Sequence, residues 1–217
     1  MLYIVATPIG NLKDITLRAI EVLKSVDLIA CEDTRHSRIL LKHYGIQTST
    51  TSYFQHNRFS KARYLLEKLQ GGADIALISD AGTPGILDPG YHLINLAIKN
   101  NIPITTIPGP TALITALVLA GKPAHRFMFE GFLSNKAVSR RKRLGELKNI
   151  DCTIIVYESP HRLLATLRDI YEILGDVQVA VIRELTKRFE EVRRLKVSDA
   201  IQSFTQTKPR GEFTLVL

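Results

Sequence analysis

Tryptophan is absent from this 217-residue chain, and cysteine and methionine occur only twice each. Cys31 and Cys152 lie far apart in sequence, which excludes a disulfide framework or thiolate cluster and points to a reducing, cytoplasmic setting. Long apolar runs are also missing. ALITALVLA (Ala112 to Ala120) comes nearest but falls well short of the roughly 18 residues that span a bilayer, so no membrane partner is expected. The first residues, MLYIVATPIGN, lack a basic stretch and read as a buried strand, not a signal peptide. No G-x-G-x-x-G follows a strand, and neither a G-x-x-x-x-G-K-[ST] phosphate cradle nor a G-x-S-x-G nucleophile elbow occurs. The six histidines show no metal-ligand spacing, so no metal site is expected.

Hydrophobic residues make up 45% and charged residues 23%, the proportions of a globular protein. The length allows one or two domains. Charge is the departure from average, with 29 basic against 21 acidic residues and a net +8. Between Ser134 and Lys148, Lys136, Arg140, Arg141, Lys142, Arg143 and Lys148 face Glu146 alone. Charge concentrated in this way suits a polyanion; an exposed helix face kept soluble by its cations is the plainer reading.

Apolar runs alternate with helical patterns along the first 120 or so residues. Leu2 to Ala6, Asp27 to Cys31, Asp74 to Ser79 and Pro103 to Ile107 read as strands. Between them, Ile15, Ala19, Val22, Leu23 and Val26 recur with a 3.6-residue period. Ile46 to Arg58 reads as a loop or short edge strand. Near-continuous apolar strands separated by helices predict a parallel sheet covered on both faces. The second part holds a basic helix from about Ala137 to Lys148, strands at Cys152 to Tyr157 and Val177 to Arg183, a hairpin arm near Arg188 to Lys196, and a last strand FTLVL. The expected class is α/β with two α/β domains, residues 1–122 and 123–217.

Ligands of open α/β sheets sit beyond the carboxyl ends of the strands. The loops there are ATPIGN, CEDTRH, SDAGTPGILDPG and PGPTA in the first part, and YESPHR and RELTK in the second. Any one of them alone is only a tight turn; four on one edge of one sheet favour a site. They offer backbone groups, the hydroxyls of Thr83 and Thr111, and the carboxylate of Asp80 directly after a strand. Such a set suits a ligand with hydroxyls, an amino group and an adenine but no phosphates. S-adenosylmethionine is one of several molecules of that kind.

Taken together, ATPIGNLKDIT, DLIACEDTRHSRILLKHYGI, ALISDAGTPGILDPG, IPGPTALITAL, FEGFL, YESPHR and RELTK resemble the tetrapyrrole methylase superfamily over essentially the whole chain. Within it they resemble the branch that acts on small-subunit ribosomal RNA. Porphyrinoid methylases open with a G-x-G-P-G-D-type loop, where this chain has ATPIGN. Relatives in the RNA branch tend to continue into a small C-terminal extension beyond the position matching Leu217. The resemblance implies S-adenosylmethionine in a cleft between two α/β domains and a homodimer. It also implies 2′-O-methylation of a cytidine ribose in the decoding region of 16S ribosomal RNA, free or in the small subunit. Carried over, the cofactor contacts are Pro8, Ile9, Asp80, Ala81, Gly82, Thr83, Thr111, Ala112, Tyr157 and Leu185. Alternatives are a methylase of the same superfamily acting on a corrin, a porphyrinoid or a diphthamide-pathway protein, and an idle RNA-binding scaffold.

Methyl transfer from a sulfonium is an in-line displacement helped by alignment and by a base or cation near the 2′-hydroxyl. The candidates chosen for that help are Asp33, Arg35, Glu158 and Lys187, with Glu32, His161 and Glu184 also in reach of the strand-end loops. For each, an ion pair or a helix cap is the alternative role, and for Glu184 that role is favoured. RNA phosphates are expected on Lys136, Arg140, Arg141, Lys142, Arg143 and Arg188, and further on Arg193 and Arg194. Tyr53 and Phe54 are candidates for base stacking.

Overall fold

Five short strands of the first unit pair in parallel, in the order β3-β2-β4-β1-β5. They are β1 (Leu2–Val5), β2 (Leu28–Cys31), β3 (Thr50–Ser52), β4 (Ile75–Leu77) and β5 (Ile104–Ile107). A computed structural model describes all residues from 1 to 217, divided into two compact units, Met1–Thr111 and Ala112–Leu217. Side chains alternate across each strand. Val5, Ile29, Cys31 and Ala76 therefore pack on one face with Ala19 and Leu23 of α1 (Leu17–Ser25) and Leu40 and Leu41 of α2 (Thr34–His43). Leu2, Ile4, Ala30, Ile75 and Leu77 pack on the other with Ala62, Leu65 and Leu69 of α3 (Arg58–Gln70) and Leu93 and Ala97 of α4 (Gly90–Lys99). The apolar character of the central strands follows from this two-sided cover.

Local signals start the helices. The Thr16 hydroxyl accepts the Ala19 N–H at 3.1 Å at the head of α1, and the Asp33 carboxylate accepts the Arg35 N–H at 2.8 Å at the head of α2. Each bond satisfies an amide that the helix itself leaves open. β3 is one of the two edge strands, which suits the polar Thr-rich stretch expected to be a loop or a short edge strand.

The second unit starts with α5 (Ala112–Ala120) and continues with β6 (Phe127–Phe132), α6 (Ala137–Leu147), β7 (Thr153–Glu158) and α7 (Leu163–Leu174). It ends with β8 (Gln178–Arg183), β9 (Glu191–Lys196), α8 (Val197–Gln206) and β10 (Phe213–Val216). Its sheet is mixed, in the order β6-β7-β10-β8-β9. β6 and β7 run parallel, β10 lies antiparallel between β7 and β8, and β9 closes the hairpin expected from the charged alternation. The last strand is thus central, and all four of its residues are buried. Leu144, Leu167, Ile170, Ala200 and Phe204 of α6, α7 and α8 build the core with Val156, Val181 and Leu215.

The boundary between the units falls at Thr111/Ala112, ahead of the 122/123 junction expected from sequence. The reason is α5. It lies against β8, β9 and β10 and buries Leu113, Ala116, Leu117 and Ala120. Arg194 closes its end, donating to the carbonyls of Leu119 and Ala120. A helix that is apolar on nearly every position carries no mark of which sheet it belongs to.

Candidate functional site

In the first unit, the carboxyl ends of β1, β4 and β5 are tied into one cluster of loops. Thr7 and Gly82 exchange both backbone hydrogen bonds, at 2.9 and 3.0 Å. The Thr7 hydroxyl donates to the Ser79 carbonyl at 3.1 Å, and the Ser79 hydroxyl donates to that of Ala81 at 3.2 Å. Thr83 donates to the Pro110 carbonyl at 3.4 Å. Gly82 has φ +80°, and a Cβ there would stand 3.5 Å from Ile9 Cγ2 and 3.8 Å from the Pro110 oxygen. A Cβ would fit at these distances, so glycine is required there by the left-handed turn. These bonds bring Pro8, Ile9, Ala81, Gly82 and Thr83 together, as the strand-end argument expected. Thr111 and Ala112 follow PGP at the junction of the units.

Asp80 reaches sideways to the turn between β2 and α2, where its Oδ1 accepts the Asp33 N–H at 3.1 Å. Asp88 holds the rest of the long loop. Its carboxylate accepts the Gly85 N–H at 2.9 Å and the Gly90 N–H at 2.7 Å. Burial pushes the Asp88 carboxyl up, and burial followed by the charges of Asp80 and Asp88 pushes Glu32 up. Glu32 thus feels the charges of Asp80 and Asp88, a concentration of acid that suits a positive group. Asp88 was absent from the sequence-derived set; the turn-forming Asp-Pro-Gly that contains it was the available signal.

Each of the four residues expected to help as a base or a cation has an intramolecular partner. Asp33 caps α2, and its oxygens take the Arg35 guanidinium at 3.2 and 2.9 Å. The Arg35 side-chain and backbone bonds hold its carboxyl at about 2, far too acidic to accept a proton from a hydroxyl. Arg35 is engaged in the same pair. Glu158 is buried at the head of α7, accepting from the Ser159 N–H at 2.8 Å, the Thr166 hydroxyl at 2.5 Å and Arg162 at 3.2 Å. It anchors a helix and has no open lone pair for substrate. Lys187 bridges Glu184 at 3.1 Å and Glu212 at 2.8 Å. Burial pulls its pKa down, but the bonds to Glu212 and Glu184 outweigh that and raise it, so it stays a cation.

The second unit's other candidates sit at the ends of β7 and β8. Burial pushes the Tyr157 hydroxyl up to about 12, against a lowering hydrogen bond from the Leu113 backbone, and its ring packs edge-on to Phe129 at 4.9 Å. Leu185 is buried between Glu184 at φ +51° and Thr186 at φ +62°. Non-glycine residues at positive φ are held there by their surroundings. Here Glu184 is fixed from both sides. Its N–H donates to the Glu212 carbonyl at 3.0 Å, and its Oε1 accepts the Glu212 N–H at 2.9 Å.

The expected RNA cations divide. Arg140 is buried and pairs with Asp169 at 2.6 Å. Arg141 pairs with Asp169 and Glu172, and Arg143 with Glu130 and Glu146. Arg193 is held by Glu191 and Ser203, and Arg194 by the end of α5. Intramolecular acceptors engage all five guanidinium groups; Arg140 is buried and is corrected as a phosphate contact, whereas Arg141 and Arg143 keep 46% and 38% of their side chains exposed. Lys136, Lys142 and Arg188 remain exposed. Tyr53 is corrected too: it is 1% exposed, with its hydroxyl donating to the Pro89 carbonyl, so it cannot stack on a base. Phe54 is half-buried beside His56.

Residues 1–201 match the model of the tetrapyrrole (corrin/porphyrin) methylases. This chain belongs to that family. A ribosomal RNA small subunit methyltransferase I of Synechocystis is 53% identical to this methylase over 218 residues, covering all of it and 78% of that protein. The protein of the same name from Thermotoga maritima is 46% identical over 216 residues, covering all of this chain and 97% of the relative. Among solved structures, a uroporphyrin-III C-methyltransferase from Thermus thermophilus complexed with S-adenosyl homocysteine aligns with TM-score 0.68 and 16% identity. That alignment covers 99% of this methylase and 96% of that chain. At that identity the likeness speaks for the two-unit methylase fold alone.

Proposed function

We propose that this methylase transfers a methyl group from S-adenosylmethionine to the ribose 2′-oxygen of a cytidine in the decoding region of small-subunit ribosomal RNA. The observation that carries this reading is identity of 46–53% along the full chain to relatives named for small-subunit ribosomal RNA. S-adenosylmethionine is the methyl donor of the family. The acidic edge formed by Glu32, Asp80 and Asp88 supports a donor that carries a sulfonium and an amino group and no phosphate. On this reading Pro8, Ile9 and Asp80 to Thr83 hold the donor, with Thr111, Ala112, Tyr157 and Leu185 as further contacts taken from the family resemblance. Alignment of the 2′-oxygen with the methyl group supplies much of the rate. A homodimer, a cytoplasmic location and phosphate contacts at Lys136, Lys142 and Arg188 belong to the same reading. No helix is long and apolar enough to cross a membrane.

Two measurements test it. Calorimetry with S-adenosylmethionine should show binding that falls about tenfold or more in Asp80→Ala, the scale of a lost charge-assisted bond. An unchanged affinity would remove Asp80 from the donor site. Labelled S-adenosylmethionine and small-subunit particles should then give label in one ribose of the decoding region by nuclease mapping. Label on a base, or none with the donor still bound, would overturn the proposed target.

A further inference from the structure

Helices α3 and α4 leave one group of aromatic side chains outside the core. Phe59 and Tyr91 are 64% and 69% exposed. His92 meets Phe59 edge to face with ring centroids 4.9 Å apart, and the Arg58 guanidinium lies 4.7 Å from the centre of the Phe59 ring. With Gln55 and Asp88 these groups line an open cavity of 290 Å³. Single exposed aromatics are ordinary on a protein surface. Here two rings and an imidazole share one cavity with a stacked cation, and of its lining only Asp88 and Pro89 belong to the loops assigned to the methyl donor.

Charge indicates the occupant. α3 carries Arg58, Lys61, Arg63 and Lys68 against Glu67 alone. None of the four cations forms an ion pair. Lys61 and Lys68 lie over the exposed Tyr64 ring at 4.4 and 5.3 Å. A second copy of this chain would bring the same cations to the same place. An unpaired nucleotide brings a flat ring and a negative backbone together. We propose that Phe59, Tyr91, His92 and Arg58 form a stacking platform for one unpaired nucleobase of single-stranded RNA, flanked by the cations of α3. The platform rests on the ribosomal RNA reading and adds to it a place where the strand is gripped. Every base has a π-face, so the platform grips without selecting sequence, while the cations of α3 track the phosphates. The Asp88 carboxylate builds the cavity wall through Gly85 and Gly90.

The test uses the full chain and a single-stranded oligoribonucleotide ten bases long containing 2-aminopurine. Its fluorescence should be quenched on binding. Phe59→Leu should lose the quench and bind about tenfold more weakly, and Phe59→Tyr should keep both. Thermal unfolding and molar mass by light scattering should be the same in all three proteins. Equal quench and affinity in Phe59→Leu would overturn the platform. So would a change of molar mass in that variant, which would assign the patch to a second copy of the chain. Methyl transfer to small-subunit particles by the wild-type protein separates the two failures. Label without Phe59-dependent binding removes only the platform, whereas neither label nor binding removes the ribosomal RNA reading as well.

Discussion

Helices α6 and α3 carry four basic residues each, Arg140 to Arg143 in one and Arg58, Lys61, Arg63 and Lys68 in the other. In α6 the run is compact and three of its cations are turned onto carboxylates: Asp169 and Glu172 of α7, Glu130 of β6 and Glu146 of α6 itself. In α3 the cations are spread out and unpaired, with aromatic rings beneath three of them. The denser patch is therefore the less available one. Asp169 lies 29 residues from Arg140, so a local charge count sees the cations and not the acids that neutralise them. An arginine fork on a carboxylate is also a directed bond, and it fixes α6 on α7 as an element of the core.

Removing the acid from under α6 should have the largest effect. Asp169→Ala leaves Arg140 buried without its partner, and breaking a buried pair from one side costs about 3–5 kcal/mol. Urea or thermal unfolding should show a loss of that order, with RNA affinity per folded molecule unchanged. A small loss would mean that α6 displays its cations after all. Next in size, reversing Lys61, Arg63 and Lys68 to Glu should leave unfolding within about 1 kcal/mol. It should lower the slope of log affinity against log salt by roughly 2, near 0.7 for each single-strand phosphate contact. Lys142→Glu in α6 should change that slope by about one contact, and Arg143→Gln by none. Equal slopes for the α3 and α6 variants would erase the contrast.

The smallest effect concerns the Asp33–Arg35 pair, a third way of using a cation. Its carboxyl lies at about 2, below the ordinary 3.8. A depressed carboxyl stabilises the fold above its unfolded value, and that contribution fades as pH falls through the folded one. The stability difference between wild type and Asp33→Asn should therefore be constant near neutrality and shrink between about pH 4 and pH 2. A difference independent of pH would remove the ion pair as its cause.

Much of the scaffold was legible because it depends on local periodicity. The two-sided apolar strands, the Asp33 cap, the polar edge segment that became β3 and the charged hairpin arm all declare themselves within a few residues. The clustering of strand-end loops was legible for the same reason, since a parallel sheet brings all carboxyl ends to one edge. Less legible were the partners of the polar side chains. Glu158, Lys187, Arg140 and Tyr53 look free in sequence, and each is held by a group from another element or from the head of the next helix.

The sequence by itself determined the α/β class, the paired faces of the first sheet, the loops that carry glycine and proline at the strand ends, and membership of the methylase family. These rest on spacing between near neighbours and on motifs read as strings. Only the tertiary structure decided that α5 belongs to the second unit, that the last strand sits in the middle of its sheet, and which cations face outward. Those outcomes depend on partners tens of residues away, and burial makes each such pairing a condition of folding: a charge withdrawn from water must find its opposite, wherever along the chain that opposite lies.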